Sequence, residues 1–164
     1  MPPLPLVAGS TTVDQDDWFS AVDFVNRLTW LAEAGGVDAL VDAFMPDVTV
    51  FHPLGAADGW DESRELLTER YAVRIPGASQ ITLNHIVERD GVGVLVRYQK
   101  LIVPSSQTPA LPGDQSLKAE SSLTALSSLP VTDRLRRHNG RWKISERHLG
   151  EREYDARPSA SRRG

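Results

Sequence analysis

The sequence predicts an α+β domain, with helices gathered in its first half and antiparallel strands in its second. Three observations predict it. From Thr12 to Phe44 and again over residues 60–73 the apolar residues recur with the period of a helix, about 3.6 residues. From Ser79 onward they alternate with polar residues instead, the period of a strand. Two dipeptides, Asp90-Gly91 and Asn139-Gly140, lie between alternating runs, where a two-residue hairpin needs residues that accept positive φ. Helices and strands segregated along a chain mark α+β rather than α/β, and 164 residues suit one domain.

Residues 1–11, Pro-rich and apolar but without a basic stretch, predict a flexible arm rather than a signal peptide. Thr12 and Gln15 fit a capping box, with Asp14, Asp16 and Asp17 near the positive end of the helix dipole. Trp18, Val22, Val25, Thr29 and Ala32 then mark one face of a long helix, ended by Gly35-Gly36. Val37, Leu40, Val41 and Phe44 mark a second, short helix stopped by Pro46. Residues 47–52 read as a strand, 55–59 as a loop, and 60–73 as a third helix with Trp60, Leu67 and Tyr71 on one face. Strands over 79–89 and 92–103 flank the first hairpin turn, and strands over 123–138 and 141–149 flank the second. Residues 104–122, rich in Pro, Ser, Gly and Gln, predict a long exposed loop. The domain is expected to span 12–150, with 151–164 as a flexible tail.

Composition narrows the function. Twenty-two acidic against eighteen basic residues leave a net charge of −4, so no cationic excess exists to neutralise nucleic-acid phosphates or an anionic membrane. No cysteine is present, which excludes disulfides, thiolate metal sites and cysteine nucleophiles and fits a cytoplasmic protein. Histidines at 52, 85, 138 and 148 have no metal-ligand spacing. Glycine-rich phosphate loops and Gly-x-Ser-x-Gly elbows are missing. Neither a metal nor a cofactor is expected.

Strand alternation nominates the polar residues of a site. Val48 and Val50 share a face with His52; Ile81, Leu83 and Val87 with His85; Val131 and Leu135 with Asp133; Trp142 and Ile144 with Glu146 and His148. If each apolar set faces the interior, His52, His85, Asp133, Glu146 and His148 converge there. The strand over 92–103 is apolar on both faces, one carrying Tyr98 and the other Arg97. Charged groups on an apolar wall cost desolvation unless paired, so each has a structural reading too: Asp133 paired with Arg97 or Arg147, and Glu146 with Arg134 or Arg136. A His–Asp or His–Glu pair in a dry cavity can move a proton near neutral pH.

The segments "GGVDALVDAFMPDVTVFHP", "GWDESRELLTERYA", "LNHIVERDGVGVLVRYQKL" and "VTDRLRRHNGRWKISERHL" together resemble the SnoaL-like families of the nuclear transport factor 2-like superfamily, over roughly residues 13–150. The resemblance implies a strongly curved sheet with three helices around a cone-shaped cavity, a homodimer through the sheet's outer face, and small-molecule chemistry without a cofactor. Dehydratases of the superfamily carry a histidine on the segment matching His85. The Tyr and Asp that scytalone dehydratase-like enzymes place near the end of the first helix are absent from Leu28–Ala34. The expected function is a lyase, isomerase or cyclase acting on an apolar oxygenated molecule of the polyketide or terpenoid type. In it His85, Asp133 and Glu146 are the catalytic candidates, and Trp30, His52, Arg97, Tyr98 and His148 contact substrate. Two alternatives stand beside it: a non-catalytic binder with the same pocket, and an interaction module using the 104–122 loop and the Arg-rich tail.

Overall fold

The computed structural model describes residues 12–34, 36–53, 55–72, 79–103, 127–150 and 153–154. The arm at 1–11, the loop at 104–122 and most of the tail from 151 lie outside the described residues. Helix α1 spans Gln15–Ala34 and α2 Gly36–Val41; strand β1 spans Phe44–His52 and β2 Gly55–Asp58; α3 spans Gly59–Ala72. Strands β3 (Ser79–Asp90), β4 (Gly93–Val103), β5 (Ser127–His138) and β6 (Arg141–Leu149) follow, with a two-residue β7 at Glu153–Tyr154. The sheet runs β2-β1-β6-β5-β4-β3, and β7 pairs with the start of β5. It is therefore open, with β2 and β3 at its edges. All pairs are antiparallel except β1–β6, which is parallel. No helix among the described residues is long and apolar enough to cross a membrane.

Helix α1 starts differently from its expected cap. The Asp17 amide donates to Asp14 Oδ1 at 2.9 Å, which makes Asp14 rather than Thr12 the cap. A carboxylate at this position satisfies an orphan amide and opposes the helix dipole as well. Asp14→Ala is expected to cost about 1 kcal/mol, read as a lower urea midpoint. From there Ala21, Val25, Leu28 and Ala32, at spacings of four and three, are buried against the sheet. Trp18, by contrast, is 36% exposed.

Strand β1 begins at Phe44, earlier than the period of the second helix suggested. Phe44 is fully buried, and its carbonyl accepts from the Trp60 indole at 3.1 Å. Proline has no N–H for a ladder, and the pairing with β6 slips across Pro46, between Phe44 and Thr49. Residues 55–58, expected as loop, form β2. Gly-Ala-Ala-Asp offers no alternation to read, yet Ala57 pairs with Val50 and is buried.

Both hairpins form, the second with Asn139 and Gly140 as its turn, the first with its turn one residue later than predicted, at Gly91 and Val92, because Asp90 stays in the strand and pairs with Gly93. Gly91 has φ +59, and Asn139 and Gly140 have φ +50 and +75. Just past the first turn, a Cβ on Gly93 would stand 2.0 Å from the Leu135 carbonyl oxygen and 2.9 Å from Arg136 Nη1. Gly93→Ala is therefore expected to destabilise by about 1–3 kcal/mol through overpacking. An unchanged melting temperature would show that β4 and β5 approach less closely than described.

Candidate functional site

The register of the sheet decides which polar side chains meet. Val87, Val96, Asp133, Arg147, Val50 and Ala57 are successive cross-strand partners from β3 to β2. Cross-strand partners share a face, and all six are buried. This row faces the helices, because its apolar members join one core with Ala21, Val25 and Leu28 of α1. An acid and a base thus stand side by side in an otherwise apolar row.

They are fully engaged with each other. Arg147 Nε donates to Asp133 Oδ1 and Nη2 to Oδ2, both at 2.7 Å. The pair's side chains are 6% and 0% exposed. The planar guanidinium fork matches the carboxylate and adds two charge-assisted bonds. Tyr98, one row along on β4, donates its hydroxyl to Asp133 Oδ2 at 2.9 Å. Burial, together with the Asp133 charge, raises the phenol's pKa well above its usual value, so the hydroxyl keeps its proton. The Arg147 guanidinium lies 5.5 Å from the Phe44 ring centre. Asp133 with Arg147 is therefore the structural pairing that sequence considerations offered as one of two partners.

His85 lies against Tyr98. Their ring centres are 5.7 Å apart with planes 22° from parallel. The imidazole Nε2 is buried without a hydrogen-bond partner. Desolvation lowers the pKa of this histidine below 6.5, favouring the neutral ring. A β-bulge puts it there. The pairing passes from Leu83↔Gln99 to Ile86↔Arg97, so Asn84 and His85 together oppose Tyr98. Asn84 takes φ +57, a conformation asparagine tolerates better than most residues.

Glu146 and His148 are not brought to this cluster. Alternation from Trp142 and Ile144 would carry them inward, but Ser145 is an extra residue between the pairs Leu135↔Ile144 and Arg134↔Glu146. The bulge resets the alternation, so Arg147 and Leu149 turn to the helices and Glu146 and His148 to the other face. Ser145 Oγ donates to the Arg134 carbonyl at 3.2 Å. On that outer face His148 Nε2 is 2.7 Å from Glu146 Oε1, and its ring stacks on Phe51 at 4.4 Å. Arg134 Nη2 is 3.9 Å from Glu146. On β3 the bulge at Asn84 and His85 acts likewise, leaving Ile81 and Leu83 outward and Val87 inward.

Arg97 also faces outward, in the row Ile86, Arg97, Thr132, His148, Phe51, and its Nε is 3.0 Å from Glu88 Oε2. The ambiguity of β4 is thereby resolved, with Val94, Val96 and Tyr98 inward. His52, half-buried at the end of β1, keeps the alternation of Val48 and Val50 and pairs with Gly55. Trp30 is 67% exposed on α1. The sequence carried one sign of the β6 bulge. Ile144 and Leu149 are five residues apart, an odd spacing that no regular strand can place on one face. No group of three or more His, Asp or Glu side chains that could hold a metal occurs among the described residues.

Comparison with known proteins agrees with this architecture. The family model of the SnoaL-like domain matches residues 20–148, so the chain belongs to that family. A cystatin-like protein of unknown function from Nostoc punctiforme superposes with a TM-score of 0.66 at 17% identity, covering 91% of this chain and 97% of that one. An NTF2-like protein of unknown function from Pseudomonas putida gives 0.68 at 10% identity, over 90% and 100% of the two chains. A candidate scytalone dehydratase from Novosphingobium aromaticivorans gives 0.61 at 18% identity, over 82% and 83%. At such identities these likenesses speak for the fold alone. No curated protein sequence matches the chain.

Proposed function

We propose that this SnoaL-like domain is a cofactor-independent lyase, isomerase or cyclase for an apolar oxygenated small molecule, with His85 as its proton-transfer group. One observation carries the reading: a neutral-leaning imidazole with a buried, unpartnered Nε2, stacked on Tyr98 beside an apolar wall whose charges neutralise each other. A lowered pKa keeps the free base present at neutral pH. As base, His85 takes a proton from carbon next to a carbonyl, and the C–H electrons pass onto the carbonyl oxygen as an enolate. Returning the proton at another carbon isomerises the substrate. Giving it to a departing β-hydroxyl releases water. Tyr98 positions the imidazole by stacking, while Asp133 and Arg147 hold Tyr98. The elimination branch is the kind of reaction named for one structural neighbour, a candidate scytalone dehydratase.

The test is a panel of polycyclic ketones, β-hydroxy ketones and enones in D2O, followed by NMR. Exchange at the α-carbon, a moved double bond or loss of water above the buffer rate supports the proposal. Binding without any exchange across the panel supports the rival reading, a non-catalytic binding protein. That rival is favoured by the commitment of Asp133 to Arg147, which leaves His85 without the acidic partner considered from sequence. The same proposal includes a homodimer through the outer face, where Phe51, Ile81 and Ile86 are exposed; light scattering of the purified chain reads it.

A further inference from the structure

A second concavity lies away from His85. An open cleft of about 740 Å³ is formed by α1, the end of α2 and the β5–β6 turn, and it shares no residue with the His85 cluster. Its volume is in the range of small-molecule sites. Phe24 and Leu31, two turns apart on α1, line it together with Trp142. Its rim is cationic. Arg141 and Lys143, with the His138 imidazole beside them, stand against a single acid, Asp42, in a chain of net charge −4.

The cations differ in how far they are committed. Lys143 Nζ donates to the Asp42 carbonyl at 2.8 Å and sits 3.9 Å from its carboxylate. The nearby Arg137 is spent on Asp17 at 3.0 Å and on the Trp142 face at 3.8 Å. Arg141 is exposed and has no ion pair among the described residues. An uncommitted guanidinium beside apolar walls suits a ligand with an apolar body and a carboxylate, which the planar fork can engage with two bonds.

We propose that this cleft binds a small amphipathic anion, an aromatic or acyl carboxylate, independently of the His85 site. The probe is sodium 1-naphthoate, with 1-naphthamide as its uncharged counterpart, titrated into the full chain and followed by 1H–15N NMR. The Trp142 indole N–H, which donates to Ser20 Oγ at 2.9 Å, is the local reporter. Naphthoate is expected to shift this resonance and the amides of Asn139 and Arg141, and to bind about tenfold tighter than naphthamide, the size of one good charged contact. Arg141→Glu, an exposed change that leaves the core intact, is expected to bring naphthoate down to the naphthamide level and leave naphthamide unaltered. Shifts confined to the residues around His85 and Tyr98, or equal naphthoate affinity in Arg141→Glu, overturn the assignment.

Discussion

Replacing Arg147 with methionine is expected to destabilise the domain by about 3–5 kcal/mol, the usual cost of removing one partner from a buried ion pair. Stabilities of whole domains are only about 5–15 kcal/mol, so the variant should be close to unfolding at room temperature. The cost comes from what is left behind. Asp133, fully buried, would keep only the Tyr98 hydroxyl as a side-chain donor, in a row otherwise made of valine and alanine. Asp133→Leu alone should be damaging for the mirror reason, since it takes the carboxylate away from a guanidinium that is 6% exposed. Combining Asp133→Leu with Arg147→Met, and with Tyr98→Phe to remove the orphaned hydroxyl, should recover most of the loss, because apolar replacements of a buried pair are often neutral or stabilising. Urea denaturation in a double-mutant cycle measures this directly. A single-variant loss under about 1 kcal/mol, the range of exposed pairs, would show that water reaches the pair, and its assignment as a structural clamp would fail.

That clamp shows where sequence and structure part company. The α+β order and both hairpins were legible because their signals are local: a helix period, a strand period, and turn residues that accept positive φ. The family features resided in the same segments. Which side chains meet was not legible, because it depends on counting residues along strands, and a bulge shifts the count by one. Ser145 turned Arg147 inward and Glu146 outward, and Asn84 separated His85 from the facing of Ile81 and Leu83. Helix α1 was found but its cap was not, since Thr12 and Asp14 are both good caps and only the Asp17 amide chooses between them. Strand β2 was missed because glycine and alanine carry no facing signal. Asp133 was nominated as an inward residue, whereas the facing of Tyr98 was left open between the two sides of its strand; what both do on the inner face is decided by an arginine whose facing the alternation had reversed.

His85→Gln tests whether the inner face has a job beyond packing. The folded pKa of His85 lies below 6.5 because burial disfavours the charged ring. Between that value and 6.5 the unfolded chain binds more protons than the folded one, so stability rises with pH across the window. The penalty sets in as pH falls below about 6.5 and stops growing below the folded pKa. His85→Gln should flatten this part of the profile and leave stability at pH 8 nearly unchanged, because Nε2 loses no partner. If His85 is the base, the same substitution should slow α-proton exchange by about 10²–10⁴-fold. The wild-type rate should hold its plateau to a pH below 6.5 and fall only where the buried imidazole takes up its proton. A variant that melts normally, binds the ketone and no longer exchanges its proton supports catalysis by His85. One that melts normally and exchanges at the wild-type rate removes His85 from the mechanism. A clear loss of stability at pH 8 would instead make the imidazole a packing partner of Tyr98, and the inner face would then be a binding wall whose chemistry, if any, lies with another residue.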